Sequence, residues 1–251
     1  MDVVSLKDIS VMRSGRRVLH RLSWTTRYGE HWAVMGPNGS GKSTLMEILL
    51  GYLWPKDGEV SVLGRTFGHT NLWELRALVG YVAPWVFKRM APETIVFDAV
   101  ASGVDGSIGA PTRISPGLKK DIMRQLRFFA CLHLKDRPFG ELSSGQQLKV
   151  ALARALVHGP KVLILDEPFS LLDVGARVRM YQCLEKLVRR KNAPQVILVT
   201  HHQADMLSFL THGLILKDGR VFMSAPRKAA FAPAVLARAF GISKELFSKY
   251  F

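Results

Sequence analysis

Trp32-Ala-Val-Met-Gly-Pro-Asn-Gly-Ser-Gly-Lys-Ser-Thr44 is the stretch whose reading decides the fold. Four apolar residues, Trp32 to Met35, read as a buried strand ending in Gly36. A helical pattern opens at Lys42 and runs to Leu50, where Gly51 stops it. Strand, glycine loop and helix in that order form the context a phosphate-binding loop requires. Gly36, Gly39 and Gly41 let backbone N–H groups turn toward phosphate oxygens, and the helix adds its positive end. Lys42 is expected to reach the β and γ phosphates of a nucleotide, Ser43 to give a hydroxyl to Mg²⁺, and Thr44 to donate to the α-phosphate. Pro37, Asn38 and Ser40 complete the cradle.

Upstream of that loop, Val3 to Val11 and Val18 to Thr25 read as strands joined by a turn at Ser14 and Gly15. Downstream, strand and helix alternate again: Val162 to Leu165, a helix from Gly175 to Arg190, Val196 to Val199, and a helix from Gln203 to Leu210. Leu214 to Lys217 and Arg220 to Met223 flank Asp218-Gly219, the signature of a type I′ hairpin. Between the halves, residues 84–159 show helical stretches, including Pro116 to Leu132 and Gly145 to Val157. The expectation is an α/β fold: one domain over 1–223, with an antiparallel β subdomain and a helical subdomain inserted at about 84–159. Residues 224–251 are expected to form two short helices broken at Gly241. They would pack on the body through Val235, Leu236, Phe240, Leu246 and Phe247.

With 48% hydrophobic residues the 251-residue chain can bury a sizeable core, which excludes disordered and coiled-coil architectures. Cys131 and Cys183 form no C-x-x-C pair, so no disulfide framework or zinc knuckle is legible and a reducing cytoplasm is the expected compartment. The apolar runs are too short to span a bilayer, so service to a membrane would be rendered from its surface. The 35 Lys and Arg against 20 Asp and Glu leave +15, a balance that suits phosphorylated ligands, anionic headgroups or nucleic acid.

Val162-Leu-Ile-Leu-Asp166-Glu167 puts two carboxylates at the end of an apolar strand, where a parallel sheet delivers them to its C-terminal edge. Asp166 is expected to hold Mg²⁺ through its water shell, and Glu167 to act as general base toward the attacking water.

Further motifs bring a family into view. Leu142-Ser-Ser-Gly-Gln146 resembles the signature of the ATPase cassettes of ABC proteins, Ser170-Leu-Leu-Asp173 resembles their D-loop, and His201 matches their switch histidine. With the two phosphate-site motifs these occur in the family's order across almost the whole chain. The stretches Gly29 to Ala33, Gly51 to Pro55, Gly103 to Gly109 and Val199 to His202 are similar to a narrower group of cassettes linked to molybdenum transport. Ala239-Phe-Gly-Ile242 is similar to the tails of cassettes serving metal-chelate and vitamin importers.

The resemblance implies a phosphate-loop NTPase core of ABC cassette type that binds ATP and Mg²⁺ and hydrolyses ATP. It also implies that Ser143, Ser144, Gly145 and Gln146 address the γ-phosphate bound by a second cassette, with Asp173 at the junction and His201 clamping the γ-phosphate. A homodimer or paired cassette follows, because one chain carries one phosphate loop and one signature. Two departures stand out. The family's Q-loop glutamine, expected after Gly80-Tyr-Val82, is replaced in Ala-Pro-Trp-Val-Phe87, with Pro84 or Phe87 at its place. Arg13 stands where an aromatic ring stacks on adenine, and its planar guanidinium can stack in turn.

Two functions are weighed. The first is the ATPase subunit of a transporter, import before export, cytoplasmic and peripheral at the inner membrane face, driving a separate transmembrane permease. The second is a soluble ATPase acting on a macromolecular or nucleic-acid-linked complex, which the +15 charge would suit. In the first, Pro84 to Met90 is expected to be a short loop that meets the permease, with Trp85 or Phe87 exposed beside Lys88 and Arg89.

Overall fold

The computed structural model describes residues 2–104, 114–243 and 245. The chain divides into two compact units, Met1–Leu75 with Gln195–Phe251, and Arg76–Pro194. Its first part runs β1 (Asp2–Arg13), β2 (Arg16–Arg27), β3 (Trp32–Met35), α1 (Lys42–Leu49), β4 (Asp57–Val62), β5 (Arg65–Thr66) and α2 (Leu72–Arg76). The middle holds β6 (Val79–Val82), α3 (Pro84–Arg89), α4 (Val96–Ala101), α5 (Pro116–Phe128), α6 (Ser144–Leu156), β7 (Val162–Asp166) and α7 (Val174–Val188). The last part is β8 (Gln195–Val199), β9 (His212–Lys217), β10 (Arg220–Pro226), α8 (Arg227–Ala230) and α9 (Pro233–Phe240).

In the first unit β1 is the middle of an antiparallel sheet ordered β2-β1-β4-β5, with Leu6 opposite Trp24 and Val4 opposite Val62. Along β2, Leu22, Trp24 and Thr26 are buried while Arg21, Ser23, Thr25 and Arg27 are exposed, the period of a strand with one face on a core. β3 is buried throughout, as befits a parallel strand covered on both faces. It pairs in parallel with β8 (Val34 opposite Val199) and β9 (Met35 opposite Ile215). β9 and β10 turn at Asp218-Gly219, whose φ values of 50° and 71° are those of the expected hairpin. The Val196 amide donates to His31 Nδ1 at 3.0 Å, and burial lowers the pKa of His31, keeping the neutral ring that this acceptor role needs.

The expected helix from Gln203 to Leu210 is a correction: only a single 3₁₀ turn, Gln203–Asp205, forms. The Met206 carbonyl, which a helix to Leu210 would spend on the Leu210 amide, accepts instead from the Arg227 guanidinium at 2.9 Å, as do the carbonyls of Leu207 at 2.9 Å and Ser208 at 3.1 Å. Thr200 Oγ1 also bonds the Asp205 carboxylate and accepts from the His202 amide, holding the chain in a turn.

In the tail, Ser224 to Pro226 extend β10 rather than open a helix, and α8 and α9 lie before Gly241, separated where Pro233 starts α9; beyond Ser243 only Glu245 is described, and it is helical. Gly241, at φ 72°, caps α9. Leu236, Ala237 and Ala239 pack on Met35 and Ile215, with Val235 and Phe240 at the margin. Leu246, Phe247 and residues 105–113, including most of the Gly103 to Gly109 stretch, lie outside the described residues.

In the second unit β6 and β7 pair in parallel, Tyr81 opposite Ile164, and neither β6 nor β4 had announced itself by a long apolar run. Gly80 lets α6 approach: a Cβ there would lie 2.5 Å from the Ala155 carbonyl oxygen. Gln125 Nε2 of α5 donates to the Leu156 carbonyl, and Arg154 Nε of α6 donates to Ser102 Oγ after α4. The expected loop at Pro84 to Met90 is instead helix α3, started by Pro84 in its first turn.

Candidate nucleotide site

The site residues read from the sequence fall into two sets. Arg13, Gly36 to Thr44 and His201 belong to the first unit; Ser143 to Gln146, Asp166, Glu167 and Asp173 belong to the second.

In the first set, β3 feeds the glycine loop. Gly36 must be glycine because a Cβ would fall 2.1 Å from the Leu216 carbonyl oxygen of β9. Gly41, at φ 98°, is the N-cap of α1 and offers no side-chain cap. The positive end of α1 therefore faces the loop with first-turn amides to give. Lys42 is buried and folds back, its Nζ donating to the carbonyls of Gly36 (2.9 Å) and Pro37 (3.0 Å). Ser40 Oγ is buried without a hydrogen-bond partner, Thr44 is buried, and Asn38, Gly39 and Ser43 are exposed. Because β3 and β8 are parallel and the Thr200 amide donates to the Val34 carbonyl, His201 emerges at the same sheet edge as the loop. Its ring lies 4.0 Å from that of His202. Arg13 is tied to α1 by a 3.1 Å ion pair with Glu47.

In the second set, Asp166 closes β7 and is 7% exposed. Glu167 follows at φ 48°, the left-handed region, so the backbone turns sharply at the second carboxylate. Ser170 holds that turn, donating from its hydroxyl (3.0 Å) and its amide (3.3 Å) to the Glu167 carbonyl. Asp173 caps α7, Oδ1 accepting from the Ala176 amide at 2.7 Å. Ser143 is the N-cap of α6 in a reciprocal capping box: its Oγ accepts from the Gln146 amide, and Gln146 Oε1 accepts from the Ser143 amide. Ser144 and Gly145 then present the first-turn amides of a 13-residue helix.

One residue escaped the sequence reading. Tyr81 on β6 donates its hydroxyl to Asp166 Oδ2 at 3.3 Å. Placing Val79 to Val82 as the strand beside Val162 to Asp166 would have found it, since Tyr81 then shares a face with the carboxylate.

A strand running into a glycine loop at a bare helix N-terminus, and a buried strand ending in two carboxylates, define a nucleoside triphosphatase of the phosphate-loop type. The family model for ABC transporters matches residues 19–170, and the chain belongs to that family of ATP-binding, ATP-hydrolysing proteins. The uncharacterized ABC transporter ATP-binding protein YlmA of Bacillus subtilis is 33% identical over 95% of this chain and 90% of its own length. The high-affinity zinc uptake system ATP-binding protein ZnuC of the same organism is 33% identical over 87% of this chain and 93% of its own. The solved structure of cbiO1 from Clostridium perfringens, part of the ABC transporter complex cbiONQ, superposes with a TM-score of 0.80 at 26% identity. It covers 94% of this chain and 93% of that one. The chain is an ABC transporter ATP-binding subunit and an ATPase. Among the described residues no helix is long and apolar enough to cross a membrane.

Proposed function

We propose that the subunit pairs with a second cassette around two ATP molecules and drives a separate transmembrane permease in import, lying at the inner face of the membrane. The observation that carries this reading is the capped N-terminus of α6. Leu142 to Gln146, the stretch resembling the family signature, forms a helix start suited to a phosphate beyond those its own phosphate loop takes. The zinc-uptake relative supports import as the direction.

In this reading Gly36, Pro37, Asn38, Gly39, Ser40 and Gly41 wrap the phosphates with amides, Lys42 exchanges its loop carbonyls for β and γ oxygens, and Thr44 donates to the α-phosphate. Arg13 lies against the adenine. The hard oxygens of Ser43 and Asp166 fit Mg²⁺, an ion that keeps several waters and takes few protein ligands. When bound, it neutralises charge developing between the β and γ phosphates. Glu167 takes the proton of the attacking water, His201 donates to the γ-phosphate, and Ser143 to Gln146 and Asp173 act toward the partner cassette.

The test is Glu167→Gln. ATP binding should persist while turnover falls roughly 10²- to 10⁴-fold, and the variant with ATP should elute as a dimer on sizing. Near-normal hydrolysis removes Glu167 from its role; a monomer with ATP bound removes the paired arrangement. Recovery of wild type only in the soluble fraction, with ATPase activity raised by RNA or DNA in a salt-sensitive way, would replace the permease with a nucleic-acid-linked partner.

A further inference from the structure

The end of β6 and the start of α3 carry three aromatic and polar groups in series. Tyr81 lies opposite Ile164 on the parallel strand β7, so it shares a face with Asp166, two residues further on. The Tyr81 hydroxyl donates to Asp166 Oδ2 at 3.3 Å and accepts from Trp85 Nε1 at 3.2 Å. The two rings sit 5.8 Å apart, and the Arg89 guanidinium lies 5.1 Å from the Trp85 ring. Burial falls sharply along this series: Asp166 is 7% exposed, whereas Trp85 is 38% exposed on α3.

We infer that Tyr81 is a positioning residue for the Asp166 carboxylate, and that Trp85 carries the state of the α3 surface inward to it. The inference rests on the reading of Asp166 as the carboxylate that faces Mg²⁺. A hydroxyl donated to Oδ2 restrains the rotation of the carboxylate. The hydroxyl is itself polarised by the indole N–H, because successive hydrogen bonds strengthen one another where water is excluded. At the outer end water competes for the indole. A protein covering α3 removes that competitor, tightens the Trp85 to Tyr81 bond, and so steadies Asp166 without touching it. Two features mark this as more than packing. The indole and phenol are joined by a directed bond rather than by ring contact alone, and Val86, the residue between Trp85 and Phe87, is buried, anchoring the helix that holds the indole in place.

The experiment uses the full chain with a non-hydrolysable ATP analogue and Mn²⁺, whose EPR signal counts bound ion directly and reports the symmetry of its ligands. Tyr81→Phe keeps the ring and deletes the donor. It should weaken Mn²⁺ binding to the nucleotide-loaded chain about three- to tenfold, the worth of one ordinary hydrogen bond, since the contact is long at 3.3 Å. Metal-free nucleotide affinity in EDTA and the thermal midpoint should stay at wild-type values. Trp85→Phe should weaken Mn²⁺ about twofold, and should add nothing in the Tyr81→Phe background, because the two bonds act in series. Unchanged Mn²⁺ affinity and line shape in Tyr81→Phe overturns the positioning role. Additive losses in the double variant overturn the series. Absence of nucleotide-dependent Mn²⁺ binding in wild type refutes the nucleotide reading itself, a failure distinct from either.

Discussion

Glu167 pairs its proposed role as general base with a backbone conformation that resists its own side chain, and the two can be separated by comparing Glu167→Ala with Glu167→Gly. At φ 48° a Cβ crowds the following carbonyl, at a cost of about 1–2 kcal/mol for a non-glycine residue. Glycine removes that cost and incurs about 0.5–1 kcal/mol through the greater freedom of the unfolded chain. The balance puts the Gly variant above the Ala variant by about 0.5–1 kcal/mol, or about 1–4 °C in unfolding midpoint for a chain of this size. At an ordinary extended or helical position the order would be the reverse. The surroundings sustain the strain: Ser170 bonds the Glu167 carbonyl twice, Phe169 is buried edge-on to Tyr181 at 5.1 Å, and Arg177 donates to the Phe169 carbonyl at 3.2 Å. Paired calorimetric scans of the two variants, with ATPase assays on the same preparations, form the measurement. Neither should turn over ATP at an appreciable rate, since both lack the carboxylate. An Ala variant as stable as the Gly variant would show that the turn relaxes when the side chain is cut, and that no strain is held at this site.

Two other outcomes are expected. Gly80→Ala should lower stability by about 1–3 kcal/mol in denaturant titration, the range for overpacking, because its Cβ would meet the Ala155 carbonyl at 2.5 Å and Leu163 and Pro160 at 3.2 Å. His158 gives a pH dependence. Burial first, and the neighbouring Arg154 second, push its pKa down from 6.5 to about 4, so the folded chain keeps it neutral where the unfolded chain protonates it. Its contribution is complete above pH 6.5 and is lost as pH falls toward about 4, up to about 3 kcal/mol. Urea midpoints of wild type and His158→Asn across that window should converge with falling pH, and parallel curves would refute the assignment.

The phosphate loop and β7 were legible because each carries its signal locally: an unbroken apolar strand, then residues whose chemistry is fixed by spacing. β3 and the start of α1 fall where the sequence put them. Long-range competition hid the rest. Gln203 to Leu210 has helical composition, yet Arg227, some twenty residues away, takes the Met206 carbonyl that a helix would use and holds those of Leu207 and Ser208 beside it. β4 opens with Asp57-Gly-Glu, a turn-like start, and is a strand because β1 offers an edge for Val60 and Val62. Tyr81 was invisible for a related reason, since its chemistry depends on which strand lies beside it. Pro84 was read as a loop residue and instead starts α3, a context in which its missing amide costs nothing.

The loop between β3 and α1 shows how a fold can be poised for an anion before one arrives. Four of its features are unfavourable or neutral when only the protein is counted. Gly36, Gly39 and Gly41 hold positive-φ backbone that side chains rarely adopt. The N-terminus of α1 has glycine in place of a side-chain cap, forgoing about 0.3 kcal/mol. The buried Ser40 hydroxyl has no partner, at about 1–3 kcal/mol. Lys42 is taken from water, with its ammonium bonded to the neutral carbonyls of Gly36 and Pro37. A ligand rich in acceptor oxygens reverses all four at once: amides and hydroxyl gain an acceptor, and the ammonium trades neutral carbonyls for charged oxygens, which make bonds roughly twice as strong. Affinity is therefore a difference, in which the Lys42 bonds to Gly36 and Pro37 are surrendered and the dormant donors are recovered. A neutral ligand, or one with donors in place of acceptors, would surrender the same bonds and recover nothing, so on the proposed reading of this loop its own donors favour phosphate.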